Sequence, residues 1–197
     1  MLMAARTTAA IPRFASSFQA RLAILLLVGF ALCCATSVAA RDLTEANKDA
    51  LRSKVEGFVA ASEAGDWATV IDVIPPKVLG SLAESVGAPV EAIQRVMLDQ
   101  IAEAMAVAVF EEVAMDLDNN EYGELADGTS YALVPTVTIM AVEGDRFRTS
   151  SKTLAIFEGG VWHLMRIGNV QHISMLKQAY PSFVGVEFEG ETVEVIE

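Results

Sequence analysis

Cysteine and histidine are scarce in this chain of 197 residues, which has two of each. Both cysteines, Cys33 and Cys34, precede residue 40, so a chain cleaved there would have no disulfide and no reactive thiolate. The two histidines, His163 and His172, stand nine positions apart, which is not a recognisable metal-ligand spacing. The sequence also lacks a Gly-rich phosphate loop and a Gly-x-Ser-x-Gly nucleophile motif. We therefore expect no metal, no cofactor and no catalytic residue.

Acidic residues are absent from the first 40 positions, which instead have three arginines before and at the start of an apolar run. The run at residues 22–35 is about 14 residues long, shorter than the roughly 18 to 20 residues of a membrane-spanning helix. Small residues at positions 37–40 follow it and offer a cleavage site before Arg41. This pattern predicts a signal peptide at residues 1–40 and a periplasmic or secreted protein. An uncleaved membrane anchor is the alternative.

Cleavage after residue 40 would leave a strongly acidic chain. All 26 acidic residues follow that point, together with 11 of the 14 lysines and arginines, which gives a formal net charge of −15. Such a surface repels nucleic acids and anionic membranes, because binding to either requires basic patches. The charge favours solubility and permits a basic protein partner.

The period of the apolar residues divides the chain after residue 40 into two parts. Up to Met105 the period is helical, with breaks at Gly65, at Pro75 and at Gly87. The helix predicted after Pro89 places Met97, Ile101, Ala104 and Met105 on its buried side. Six methionines (Met97, Met105, Met115, Met140, Met165 and Met175) lie on predicted core faces, where adaptable packing explains them.

From residue 107 the period approaches two, which is typical of strands. We predict strands at 107–117, 131–142, 147–157 and 161–167, with hairpin turns at 143–146 and 158–160. A short helix at 172–180 and a last hairpin around residues 189–191 complete the prediction. In the first strand, residues 107, 109, 113, 115 and 117 would share one face.

Helices followed by strands joined through tight turns predict the α+β class. Three N-terminal helices would pack on a curved, cone-like antiparallel sheet of about four to six strands. Helical crossovers between strands are missing, which argues against a parallel sheet. We expect one domain at residues 41–183 and a β-rich tail at 184–197.

Two local sequences indicate a family resemblance: Gly65-Asp66-Trp67 at the first helix break, and the closing hairpin Phe-Glu-Gly-Gly-Val-Trp-His-Leu at residues 157–164. Together with the order of elements over about residues 43–167, they resemble the nuclear-transport-factor-2-like superfamily. The resemblance implies a cone-shaped cavity between the helices and the sheet. It implies no particular reaction, because members include isomerases, dehydratases, ligand carriers and protein-interaction modules.

Glu111 is the one charged residue that interrupts the apolar face of the first predicted strand, among Val109, Val113 and Met115. Burial there would raise the pKa of its carboxyl group and prepare it as a general acid or base. Alternatively, a bulge at residues 111–112 turns the side chain outward, or a basic residue such as Arg166 pairs with it.

Four residues are predicted to line the cavity and bind a ligand: Glu111, Tyr131, Trp162 and Arg166. Trp162 and Arg166 share strand parity, which would leave His163 on the outer face of the sheet. The superfamily's hydratases and isomerases use Asp/His or Tyr/Asp pairs, and no complete pair of this kind matches positions in this sequence. Residues 116–120 resemble a calcium loop only superficially, because the central glycine and the bidentate glutamate are missing.

Three functions stay open on the sequence. The preferred one is an exported, non-catalytic module that binds a small apolar molecule or a protein, with the outer sheet face available for a homodimer. The second is a cofactor-free lyase, isomerase or hydratase that uses a buried carboxylate in the cavity. The third is an assembly or envelope-stress factor whose acidic surface binds a basic partner.

Overall fold

In the computed structural model of this protein, which describes residues 43–197, four helices precede a six-stranded antiparallel sheet. The helices are α1 (Glu45–Glu63), α2 (Trp67–Asp72), α3 (Pro76–Val86) and α4 (Val90–Met105). The predicted α+β class, with helices N-terminal to a curved antiparallel sheet, is thereby confirmed. The predicted signal peptide at residues 1–40 lies outside the described residues.

The helix ends follow from local sequence. The side chain of Thr44 accepts a hydrogen bond from the backbone N–H of Asn47 and caps α1, and Asp66 caps α2 in the same way through Thr69. Pro75 ends the second helix region, because a proline cannot continue the preceding hydrogen-bond ladder. Gly87 closes α3 in the left-handed conformation, with φ of 66°.

The sheet is built around one long hairpin, to which the other strands add on either side. The strands are β1 (Ala108–Met115), β2 (Glu121–Glu124), β3 (Ser130–Val142), β4 (Asp145–Glu158), β5 (Val161–Ile167) and β6 (Thr192–Ile196). Both β1 and β2 pair with β3, whereas β5 and β6 pair with β4. Between β5 and β6 the chain forms α5 (Val170–Ala179) and a 3-10 helix (Pro181–Gly185).

The predicted C-terminal hairpin is wrong. A single strand, β6, pairs with residues 146–150 of β4, next to the stretch 152–158 that pairs with β5. The tail thus completes an edge of the main sheet that β5 is too short to cover. The short strand β2 was not predicted, and its Gly123 lies opposite Tyr131, whose ring occupies the space that a Cβ at Gly123 would need.

Each face of the sheet has its own apolar cluster. On the inner face, which we define as the face against α1, Val134, Ala155, Trp162 and Leu164 pack with Leu51 and Val55. On the outer face, Leu133, Leu154 and Ile156 pack with residues of α5 and with Phe183 of the 3-10 helix. The sheet end formed by β5 is therefore covered on both sides.

Candidate functional site

A cavity of about 420 Å³ separates the helices from the inner face of the sheet. Its wall is mainly apolar and includes side chains from α1 to α5 and from four strands, among them Phe58, Trp67, Val70, Ile71, Leu82, Met97, Ile101, Met105, Phe110, Val113, Met140, Leu164 and Met175. The volume falls in the range of about 300 to 1,000 Å³ that is typical of small-molecule sites. The cavity is the best candidate for a functional site in this fold.

Helix α4 forms one wall of the cavity without being packed into the core. Met97, Ile101, Ala104 and Met105 line the cavity, as their spacing on one helix face predicts. None of the residues of α4 is buried, however, whereas Leu51 on α1 has no exposed surface at all. The side of α4 that was predicted to be buried therefore faces inward. It lines the cavity and is not, as had been predicted, closely packed against the sheet.

Methionines are prominent in this wall. Met97, Met105, Met140 and Met175 line the cavity and are only partly buried, and the buried Met165 lines it as well. Their prediction as core-packing residues therefore accounts for Met165 better than for the others. Because the unbranched thioether side chain adapts its shape, a methionine-rich wall suits a flexible apolar ligand.

A small polar patch lies on the cavity floor. The hydroxyl of Thr136 lies 2.8 Å from the hydroxyl of Thr153 and 3.0 Å from the carbonyl oxygen of Val134. On α1, Ser62 donates a hydrogen bond of 2.8 Å to the carbonyl of Phe58. These hydroxyl groups are satisfied by the protein itself, so the patch needs no ligand to be stable.

One end of the cavity is basic. Arg166 on β5 and His172 on α5 both line it, and no acidic residue is among the lining residues within 43–197. The Nη2 atom of Arg166 lies 2.5 Å from Oε2 of Glu191, which precedes β6. Burial and then the neighbouring Arg166 lower the pKa of His172, while Glu191 acts in the opposite direction. The imidazole is therefore neutral at pH 7.

The structure separates the four predicted ligand-binding residues. Arg166 lines the cavity, as predicted. Trp162 lies on the inner face but is fully packed against α1, with 1% of its surface exposed. Tyr131 lies on the outer face, where its ring packs against Phe183 at 5.3 Å between centroids. Its assignment to the cavity is wrong.

Glu111, the fourth residue predicted to bind a ligand, does not line the cavity either. A β-bulge between Phe110 and Glu112 leaves Glu111 without a partner residue on β3, and its side chain is 31% exposed. Glu111 accepts hydrogen bonds of 2.9 and 2.8 Å from Nε and Nη2 of Arg146. Both alternatives to burial, a bulge and pairing with a basic residue, are therefore found. The basic residue is Arg146, and not Arg166.

The bulge also changes which residues of β1 face inward. Before it, Phe110 faces the cavity and Val109 is 63% exposed, whereas after it Val113 faces inward. The shared face predicted for residues 107, 109 and 113 is therefore wrong, because one extra residue reverses the alternation of side chains. Sequence periodicity alone has no signal for this reversal.

His163 lies on the outer face, as predicted, since it pairs with Ile156 of the outer cluster. Its Nδ1 atom is buried without a hydrogen-bond partner among the described residues. Within residues 43–197 no three His, Cys, Asp or Glu side chains form a group that could hold a metal ion. In the loop after β1, Asp116 accepts hydrogen bonds from the backbone of Asp118 and Asn119.

No protein family, curated protein or solved structure matches this chain. None of the helices in the described part of the chain is long and apolar enough to cross a membrane. The cavity and its basic end are therefore the observations on which a functional assignment depends.

Proposed function

We propose that this protein is an exported, non-catalytic module of the nuclear-transport-factor-2-like type that binds a small, mainly apolar molecule in the cavity between its helices and its sheet. The arrangement of helices on a curved antiparallel sheet is compatible with that superfamily. The signal-peptide pattern of residues 1–40 supports export.

The apolar cavity beside α4 is the single observation that supports binding. A helix with an apolar side and no buried residue leaves that side in contact with water unless a ligand covers it. Covering apolar surface contributes about 25 cal/mol per Å² to binding. A molecule that fills the cavity would therefore bind through the same side chains that now line open space.

The alternative function, a cofactor-free enzyme, depended on Glu111 as a buried carboxylate in the cavity. A buried carboxylate was to act as general acid or base, but Glu111 lies outside the cavity and is paired with Arg146. The histidine of the wall, His172, accepts a hydrogen bond of 3.4 Å from the backbone N–H of Gly168 at its Nδ1 atom. These observations support a binding role over a catalytic one.

A neutral apolar dye, N-phenyl-1-naphthylamine, tests the proposal, because its fluorescence rises in apolar surroundings. We expect saturable binding by the wild-type protein and loss of most of that binding in Ala104→Trp, whose indole would occupy the cavity. The matched control is Ala102→Trp, since both alanines are exposed on the same helix and only Ala104 lines the cavity.

Both variants should show wild-type circular dichroism. Absence of binding by the wild-type protein, or equal binding by the two variants, would contradict the proposal that this cavity is the site.

A further inference from the structure

Arg166, which lines the cavity, is already paired with a carboxylate of the protein itself, and that carboxylate is not among the lining residues. Glu191 pairs with Arg166, and its side chain is 27% exposed. Its backbone N–H donates a hydrogen bond of 2.9 Å to the carbonyl of Gly168, which fixes the position of the residue. We call the place occupied by the Glu191 carboxylate, between Arg166 and Gly168, the carboxylate seat.

Gly168 shapes this seat by having no side chain. A Cβ at Gly168 would overlap an oxygen of the Glu191 carboxylate and would lie 3.4 Å from Nε of Arg166. The backbone φ of Gly168 lies outside the left-handed region, so the backbone φ does not by itself require a glycine there. A Cβ at this position would therefore displace the Glu191 carboxylate from its place beside Gly168.

Arg166 is well suited to exchange one carboxylate for another. The guanidinium group has five N–H donors and prefers to bind carboxylates through two parallel hydrogen bonds. Within the described residues, Arg166 makes one hydrogen bond, to Oε2 of Glu191. A second carboxylate could thus form more hydrogen bonds with Arg166 than Glu191 does.

We propose that the ligand of this cavity is an apolar molecule with a carboxylate head group, which takes the place of the Glu191 carboxylate at Arg166 and Gly168 while its apolar chain lies along α4. This inference rests on the proposed function and adds the chemical class of the ligand. Glu191 is then an internal competitor that keeps Arg166 paired when the cavity is empty.

Titration calorimetry with decanoate and with decanol tests this inference, since the two molecules have equal chain lengths and differ in the head group. We expect decanoate to bind the wild-type protein more tightly. Arg166→Gln should weaken decanoate binding about tenfold or more, because it removes a charged hydrogen-bond donor, and should change decanol binding by less than about twofold.

Arg148→Gln is the matched control for net charge. Arg148 is exposed and pairs with Ile139, whose side chain lies on the outer face, away from the cavity. The same loss of one positive charge there should leave the binding of both molecules unchanged. Equal weakening by the two arginine variants would mean that only the overall charge attracts decanoate.

Two further variants test the seat itself. Glu191→Gln should strengthen decanoate binding by roughly two- to fivefold, the effect expected when a partly exposed ion pair no longer competes. Gly168→Ala should weaken decanoate binding and leave decanol binding unchanged, because its Cβ would fill the seat. Unaltered decanoate binding in both variants would contradict the proposal that the ligand carboxylate binds in the carboxylate seat.

The outcomes separate this inference from the proposed function. If both molecules bind equally and Ala104→Trp abolishes binding of both, the cavity is a ligand site but the carboxylate class is wrong. If neither molecule binds and the neutral dye does not bind either, the proposed function itself is contradicted. Circular dichroism and thermal melting of each variant exclude unfolding as the cause.

Discussion

The indole Nε1 of Trp162 donates a hydrogen bond of 2.8 Å to the backbone carbonyl of Asn47, which joins strand β5 to the first helix. Trp162 also packs against Phe157, with 5.1 Å between ring centroids, in the apolar cluster under α1. The residue that the sequence suggested as a ligand contact therefore has a structural role.

Trp162→Phe should lower the free energy of unfolding by about 2 to 3 kcal/mol, because it removes a buried hydrogen bond and leaves part of the indole volume empty. Urea titration followed by circular dichroism measures the effect. Trp67→Phe is the control, since Trp67 is only partly buried and lines the cavity. A loss of the same size in both variants would contradict the structural role of Trp162.

Glu111→Gln should lower the free energy of unfolding by less than about 1 kcal/mol, because the ion pair with Arg146 is partly exposed on both sides. Binding of the neutral dye should stay at the wild-type level. Glu112→Gln, which changes the neighbouring exposed residue, serves as the control for charge. A strong loss of dye binding in Glu111→Gln, but not in Glu112→Gln, would show that Glu111 contributes to ligand binding.

His163 should make the stability of the protein depend on pH. Burial, followed by the charge of Lys54, lowers the pKa of His163 below its ordinary value of 6.5, and Glu158 opposes this only in part. Glu158 is itself paired with Lys77 and accepts a hydrogen bond of 2.7 Å from Tyr180. The unfolded chain therefore binds a proton more readily than the folded chain.

The sign follows from that difference in proton binding. The contribution of the neutral His163 to the free energy of unfolding should be fully present above about pH 6.5. It should fall as the pH decreases from there through the lower pKa that His163 has in the folded state. His163→Gln should show a smaller decrease than the wild-type protein between about pH 7 and pH 5. Urea titrations at several pH values measure this difference, and parallel curves for the two proteins would argue against a depressed pKa.

If residues 1–40 are a signal peptide, as their pattern predicts, the mature chain begins at Arg41. Expressed in full length in a bacterial host, the protein should be recovered from the envelope fraction with Arg41 as its first residue, as mass spectrometry can determine. Ala40→Arg should block cleavage, because signal cleavage requires a small residue at that position. Recovery of a membrane-bound wild-type protein that begins at residue 1 would favour the alternative of an uncleaved anchor.

The face of the sheet on which Tyr131 lies follows from the two hairpin turns that flank β4. The turn at Glu143 and Gly144, where φ is 53° and 99°, makes Val142 pair with Asp145, and the turn at residues 159–160 pairs Glu158 with Val161. Counting back from these two turns places Tyr131 opposite Ile156, and Ile156 opposite His163. Tyr131 therefore shares a face with His163, and not with Trp162.

The sequence by itself determined the α+β class, several helix ends and the two hairpins that join β3, β4 and β5. These depend on residues that are close in the chain, such as a capping Asp66, a breaking Pro75 and a turn at Gly144. Only the tertiary structure decided that Glu111 is exposed, since the bulge depends on how β1 pairs with a strand some 30 residues away. It also decided that α4 lines a cavity and that Glu191 meets Arg166, because volume and charge pairing arise from distant segments that come together on folding.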